Sequence, residues 1–192
     1  MSDRRWASGV LALGALLWVA GCSAQDDPPP QATPTTTQPA VTSEAPTPEE
    51  EAAEAAAQAF EGLLRISDAA SREPNARDWE PGIRQFAADP AALLTIQAVR
   101  DYATLGLRQE GDSAVDLQVV GVDLTAPAAP TVKMTGCYDS QSAQTVDAGT
   151  GEVVPPGTPP RYVWDITVVQ FVAEPEQPWL VTTLEPLTDR PC

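Results

Sequence analysis

The 192-residue chain contains no histidine. That absence excludes Ser-His-Asp and Cys-His catalytic sets and removes the commonest general base near neutral pH. It also argues against zinc, whose usual ligands are His and Cys. Lysine is almost missing too: Lys133 is the only one. Schiff-base chemistry would rest on that residue alone, yet it alternates out of step with Val132 and Met134, as a residue on the solvent face of a strand does. No glycine-rich phosphate loop or dinucleotide fingerprint occurs, and Gly149-Thr150-Gly151 lies in a turn with no helix after it. Glu49 to Glu51 and Asp26-Asp27 are charge runs without the spacing of a calcium loop. No cofactor and no metal site is expected. Positive charge is scarce as well, 11 bases against 27 acids for a net charge of −16. A phosphate backbone repels such a surface, so no nucleic-acid partner is expected.

What the chain does have begins at its N-terminus. Arg4 and Arg5 precede an apolar run from Val10 to Ala20, followed by small residues, the three parts of a secretory signal. The run is too short for a membrane span, which needs roughly 20 apolar residues. Its end, Val19-Ala20-Gly21-Cys22, resembles the bacterial lipobox: an aliphatic residue, two small residues and a cysteine. The resemblance implies a diacylglyceryl group on the Cys22 thiol, cleavage just before it, and a lipoprotein held in the cell membrane on its extracytoplasmic face. The alternative is an ordinary signal peptide with an incidental cysteine. Removing residues 1–21 takes away Asp3, Arg4 and Arg5 and leaves 26 acids against 9 bases, net −17. Anionic headgroups repel that charge, so lipid rather than a basic patch must supply the membrane contact. Ten arginines against one lysine, with abundant alanine and proline, look like high-GC coding, and with the lipobox they point to an actinobacterial envelope.

Three cysteines leave one over in an exported protein. If Cys22 carries lipid, Cys137 and Cys192 remain as a disulfide pair, the alternative being two free buried thiols. The bridge would close a long loop and pin the C-terminus, worth about 4 kcal/mol in the chain-entropy model.

From Ser23 to Thr47 the chain is proline, threonine, glutamine, alanine and acid with no apolar period, which predicts a disordered tether over 22–47. Thr47-Pro48-Glu49-Glu50-Glu51 is a helix start, and Ala52, Ala56, Phe60, Leu63, Leu64 and Ser67 share one face of the helix it begins. Asp78-Trp79-Glu80-Pro81 opens a short second helix, and Asp89-Pro90 caps a third that runs to about Tyr102. Four runs then read as strands: Val115 to Leu124, Thr131 to Tyr138, Tyr162 to Val172 and Trp179 to Leu187. A further strand fits Thr104 to Gln109, and Val146 to Thr158 reads as a long loop. Helices followed by an antiparallel meander make an α+β domain over 48–192, with N-terminal helices packed on a curved sheet of four to five strands.

This order resembles the nuclear transport factor 2-like, cystatin-related cone fold. Gly136-Cys137-Tyr138-Asp139, Trp179-Leu180-Val181 and the terminal Cys192 are similar to segments of secreted actinobacterial lipoproteins. The resemblance implies a curved sheet around the first helix, often with a pocket between them. Members of that fold include non-catalytic modules as well as isomerases and hydratases.

Phe60 and Leu63 on the first helix, with Trp164 and Ile166 on the sheet, are therefore the candidate core or pocket lining. The function expected is a lipid-anchored, extracytoplasmic binding or interaction module that holds an envelope protein partner or an apolar ligand, with no catalytic residues. The competing readings are an apolar-ligand carrier and an isomerase-like enzyme with an acid in the cone cavity. Asp165 is the best candidate acid, but its position in Tyr162 to Val172 turns it toward water, beside Arg161. Tyr102 and Tyr138 are expected as core or rim residues. Composition does not indicate an oligomer.

Overall fold

The computed structural model describes residues 45–126 and 128–192. The expected leader over 1–21, Cys22 as the expected lipid-attachment residue, and the expected tether as far as Glu44 lie outside the described residues. The fold is α+β, with helices first and sheet after. α1 is Pro48–Arg72, α2 Glu80–Ile83 and α3 Ala91–Leu105, followed by strands β1 Leu107–Glu110, β2 Ala114–Asp123, β3 Thr131–Asp139, β4 Gln144–Asp147, β5 Arg161–Gln170 and β6 Trp179–Leu187.

α1 starts where its capping residues place it. The Thr47 hydroxyl accepts from the Glu50 backbone N–H at 3.2 Å, and the Glu50 carboxylate accepts from the Thr47 N–H at 2.7 Å. These are the two halves of a capping box, and they hold the Glu50 carboxyl below its ordinary value. Ala52, Ala56, Ala59, Phe60 and Leu63 form the buried stripe, with Leu64 and Ser67 at its edge. α2 is one turn, begun by the Asp78 carboxylate accepting from the Glu80 N–H at 3.0 Å. α3 differs from expectation at its start: Pro90 is the N-cap and no side chain caps it. The Asp89 carboxylate turns instead to Arg84 Nη1 at 3.1 Å, because a guanidinium offers it a charged partner.

β2, β3, β5 and β6 form one antiparallel sheet in that order. The expected fifth strand exists but belongs elsewhere, since β1 pairs with β4 in a separate two-stranded sheet. The segment expected as one loop from Val146 therefore begins as strand. Val146 bridges Val153, and the Val154 N–H donates to the Thr145 carbonyl at 2.9 Å, so the chain folds straight back on β4. Gly111, between β1 and β2, has φ 83°, and a Cβ there would stand 1.7 Å from the Ser142 carbonyl oxygen; only glycine fits that approach.

The helices cover one face of the larger sheet. Val132 and Met134 of β3, Ile166 and Val168 of β5, and Val181 of β6 meet Phe60, Leu63, Ile83 and Ile96 in a continuous core. Residues 86–88 run beside β6, with Val181 N–H to the Phe86 carbonyl and Ala88 N–H to the Val181 carbonyl, both at 2.9 Å, which protects that edge. The other face carries Asp116, Gln118, Lys133, Thr183 and Glu185, all exposed, and no described helix covers it. Val172, expected as the last residue of the strand beginning at Tyr162, lies beyond the end of β5 and is exposed. No helix among the described residues is long and apolar enough to cross a membrane.

Candidate functional site

The residues expected to form core or pocket are packed against one another. Phe60 and Leu63 are each 1% exposed and Ile166 2%, all within the main apolar cluster. Trp164 is half-buried, with its ring edge-on to Phe60 at 6.1 Å between centroids. Between core and pocket lining, the two alternatives for these residues, they are packed as core, filling the space between the first helix and the sheet.

An open space lies at the end of the sheet. A cavity of about 420 Å³ is bounded by the last turn of α3, the small β1–β4 sheet, the adjoining ends of β3 and β5, and the returning segment 153–160. All three tyrosines of the chain line it. α3 brings Tyr102, whose hydroxyl lies 2.7 Å from Thr145 Oγ1. β3 and β5 pair Tyr138 with Tyr162, rings 5.2 Å apart and tilted by 51°. Tyr138 also stacks on Trp164, so one end of the cavity rests on the core. Burial pushes the Tyr138 phenol up to about 12, opposed in part by the Ser113 hydroxyl.

Amides and hydroxyls complete the lining: Gln109, Gln141 and Gln144, with Ser140, Thr145 and Thr158. None of the described lining residues is charged, although the chain carries a net charge of −16. The nearby acids are each engaged. Asp68, buried on α1, accepts from Gln109 Nε2 at 2.9 Å, from the Ser113 hydroxyl at 2.8 Å and from the Ser113 N–H at 3.1 Å. Asp139 faces Arg161 Nε at 3.4 Å. The Asp147 carboxylate accepts from the N–H groups of Gly149 and Thr150 and from the Thr150 hydroxyl, contacts that hold it below the usual carboxylate range. Gln109 also donates to the Gly111 carbonyl at 3.2 Å, so both its amide protons are committed and its oxygen is the group it offers. The arrangement supplies neutral donors, acceptors and aromatic surface.

The other expected residues lie outside this cavity. Cys137 and Cys192 form a disulfide across 55 positions, with Cα atoms 5.8 Å apart. Such a bond belongs to an oxidising, extracytoplasmic compartment. Lys133 and Asp165 alternate onto the sheet face opposite the helices, Lys133 exposed and Asp165 half-buried between Thr135 and Glu185. Arg161 pairs with Asp139 and reaches Cys137 Sγ at 3.3 Å, so it is not the partner of Asp165 that proximity along the strand suggests. Among the described residues no three Cys, Asp or Glu side chains come together as a metal site. Sequence reasoning missed Asp68 and Gln109. The signal for Asp68 was a charged residue two turns beyond Phe60 on the apolar stripe of α1.

No family model matches the chain, and no curated protein matches its sequence. Among solved structures it is similar to the intermembrane space region of the chloroplast protein ARC6, with TM-score 0.48 and 17% identity, covering 74% of this chain and 99% of that one.

Proposed function

We propose that this chain is a lipid-anchored binding module on the extracytoplasmic face of a cell envelope, and that the tyrosine cavity is its binding site. The cavity carries the proposal: a concave, uncharged, aromatic-and-amide surface within an acidic domain, at a volume inside the roughly 300–1,000 Å³ range of small-ligand sites. The lipobox ending at Cys22 supports the anchor. The test is native mass spectrometry of the full-length protein extracted gently from its own envelope. The expected result is the lipid-modified chain with a further bound mass. That mass should disappear from Gln144→Trp, which fills the cavity from the exposed first residue of β4. An unmodified Cys22, or a bound mass that survives Gln144→Trp, would contradict the proposal.

A second reading draws on the bare sheet face. Asp165 and Glu185 stand directly opposite each other across β5 and β6. Like charges in that register destabilise a sheet, and a cationic partner surface would relieve them. A lipidated mass without any retained small molecule would favour this reading, with cross-linking in the intact envelope as the next step.

A further inference from the structure

We infer that the ligand of the tyrosine cavity is a neutral carbohydrate, a short saccharide with free hydroxyls; this rests on the reading of that cavity as the binding site. Four observations converge on it. The first is charge. No described lining residue is charged, and Asp68, Asp139 and Asp147 are already occupied by Gln109 and Ser113, by Arg161, and by the turn at Gly149-Thr150. An ionic ligand would lose its hydration and meet no counter-charge. The ligand is neutral.

The second is the kind of hydrogen bond on offer. Tyrosine, serine and threonine hydroxyls and glutamine amides each donate and accept. Sugar hydroxyls do the same, so they can donate to the Gln109 oxygen and to Ser140 Oγ, whose protons are already committed, and can meet Gln141 and Gln144 in either sense. The Tyr162 hydroxyl has no hydrogen-bond partner among the described residues, yet the only side-chain polar atom that is both buried and unpartnered there is Trp164 Nε1. Tyr162 is largely buried, at 8% exposed, but lines the cavity, so its unpaired hydroxyl is a group a ligand there could engage.

The third concerns what the cavity withholds. One way an extended peptide binds is by adding a strand to a free backbone edge. Here β4 has β1 on one side and the returning segment Glu152 to Val154 on the other, so neither edge is free. The fourth is the mixture of surfaces. Tyrosine rings with Val153, Pro156 and Pro160 set apolar area beside the polar groups. A pyranose or furanose ring has the matching character, a C–H face and a rim of hydroxyls.

The experiment uses the full-length, lipid-modified protein in detergent micelles, followed by amide NMR over residues 138–162. The probes are maltotriose, cellotriose, galactotriose, arabinotriose and chitotriose, with trigalacturonic acid as the anionic counterpart and a proline-rich decapeptide as the peptide counterpart. At least one neutral trisaccharide should shift these amides with a Kd at or below about 1 mM, and trigalacturonic acid should not. Tyr162→Phe removes one hydroxyl without changing shape, and Gln144→Ala removes one amide at an exposed position; each should weaken binding about three- to tenfold. Amides that stay still with all five neutral sugars at about 10 mM overturn the inference. If the decapeptide moves them instead, the carbohydrate assignment fails and the binding cavity stands. If no probe moves them and native mass spectrometry finds no bound mass, both fail.

Discussion

The ring of Tyr138 lies flat on the indole of Trp164, with centroids 4.5 Å apart and planes within 5° of parallel. Trp164 in turn meets Phe60 edge-on, so α1, β5 and β3 are joined through a line of aromatic rings that ends at the cavity. Aromatic pairs add about 0.5–1.5 kcal/mol beyond the area they bury. The position of Tyr138 is thereby set by the core rather than by the returning segment 153–160. A ligand would meet a wall that is already rigid.

The same burial should be visible in titration. The Tyr138 phenol is raised from 10 to about 12, which favours the neutral form in the folded protein. The stability this contributes is complete below pH 10 and is lost as pH rises through about 12, to an extent of about 3 kcal/mol at most. Tyrosinate absorbance in the folded protein should show a component ionising near pH 12 that is missing from Tyr138→Phe. Full ionisation of all three tyrosines by pH 10.5 with the fold intact would contradict the burial of this ring.

Asp68 joins α1 to the turn between β1 and β2 through three donors, two of them from Ser113. Asp68→Ala would leave those donors unpaired at a buried position. The expected loss is about 2–4 kcal/mol of unfolding free energy, measured by urea denaturation with the disulfide intact. Asp68→Asn keeps the shape but turns an N–H₂ toward a donor, so it should lose part of that amount. A change within 0.5 kcal/mol for the alanine variant would show that these contacts contribute little.

The larger sheet was legible because its strands announce themselves by alternation: Val132, Met134, Ile166 and Val168 face the core, and Lys133 and Asp165 do not. α1 was legible for a similar reason, through its capping box and its three-and-four spacing. The short sheet was not. β4 has only four residues, Gln144–Asp147, with polar Gln, Thr and Asp among them, and what makes it a strand is pairing with β1, 40 positions away at Leu107↔Asp147. The cavity was illegible on the same account, because its wall is that sheet. Tyr102, Tyr138 and Tyr162 are far apart in sequence, and each alone reads as an ordinary core or rim residue. Phe60, Leu63 and Ile166 could be named as inward-facing, but inward-facing residues fill a pocket as readily as they line one.

Gly62 offers a test of how closely the helices pack. It lies buried on α1, and a Cβ there would come within 2.3 Å of the Phe86 ring. In an unconstrained helix, Gly→Ala is stabilising by about 1 kcal/mol. Here the ring must move, and overpacking of that kind costs about 1–3 kcal/mol. Gly62→Ala is thus expected to lower the melting temperature, with recovery in the double variant that also carries Phe86→Leu. A higher melting temperature for the single variant would mean that Phe86 can swing away freely.

The two cysteine roles separate cleanly by phenotype. Cys137→Ser opens the 55-position loop and frees the C-terminus, which should reduce unfolding free energy by about 2–5 kcal/mol while the protein stays with the membrane fraction. Cys22→Ala removes the thiol that the lipobox reading requires, so the protein should appear in the medium with unchanged unfolding free energy. Each variant is measured by both fractionation and denaturation, because the contrast carries the argument. Tight membrane attachment in Cys22→Ala would mean that something other than lipid on that residue holds the chain. A Cys137→Ser protein as stable as the parent would mean that the C-terminal strand β6, held to β5 from Val163↔Leu187 to Gln170↔Trp179, already fixes the end of the chain without the bridge.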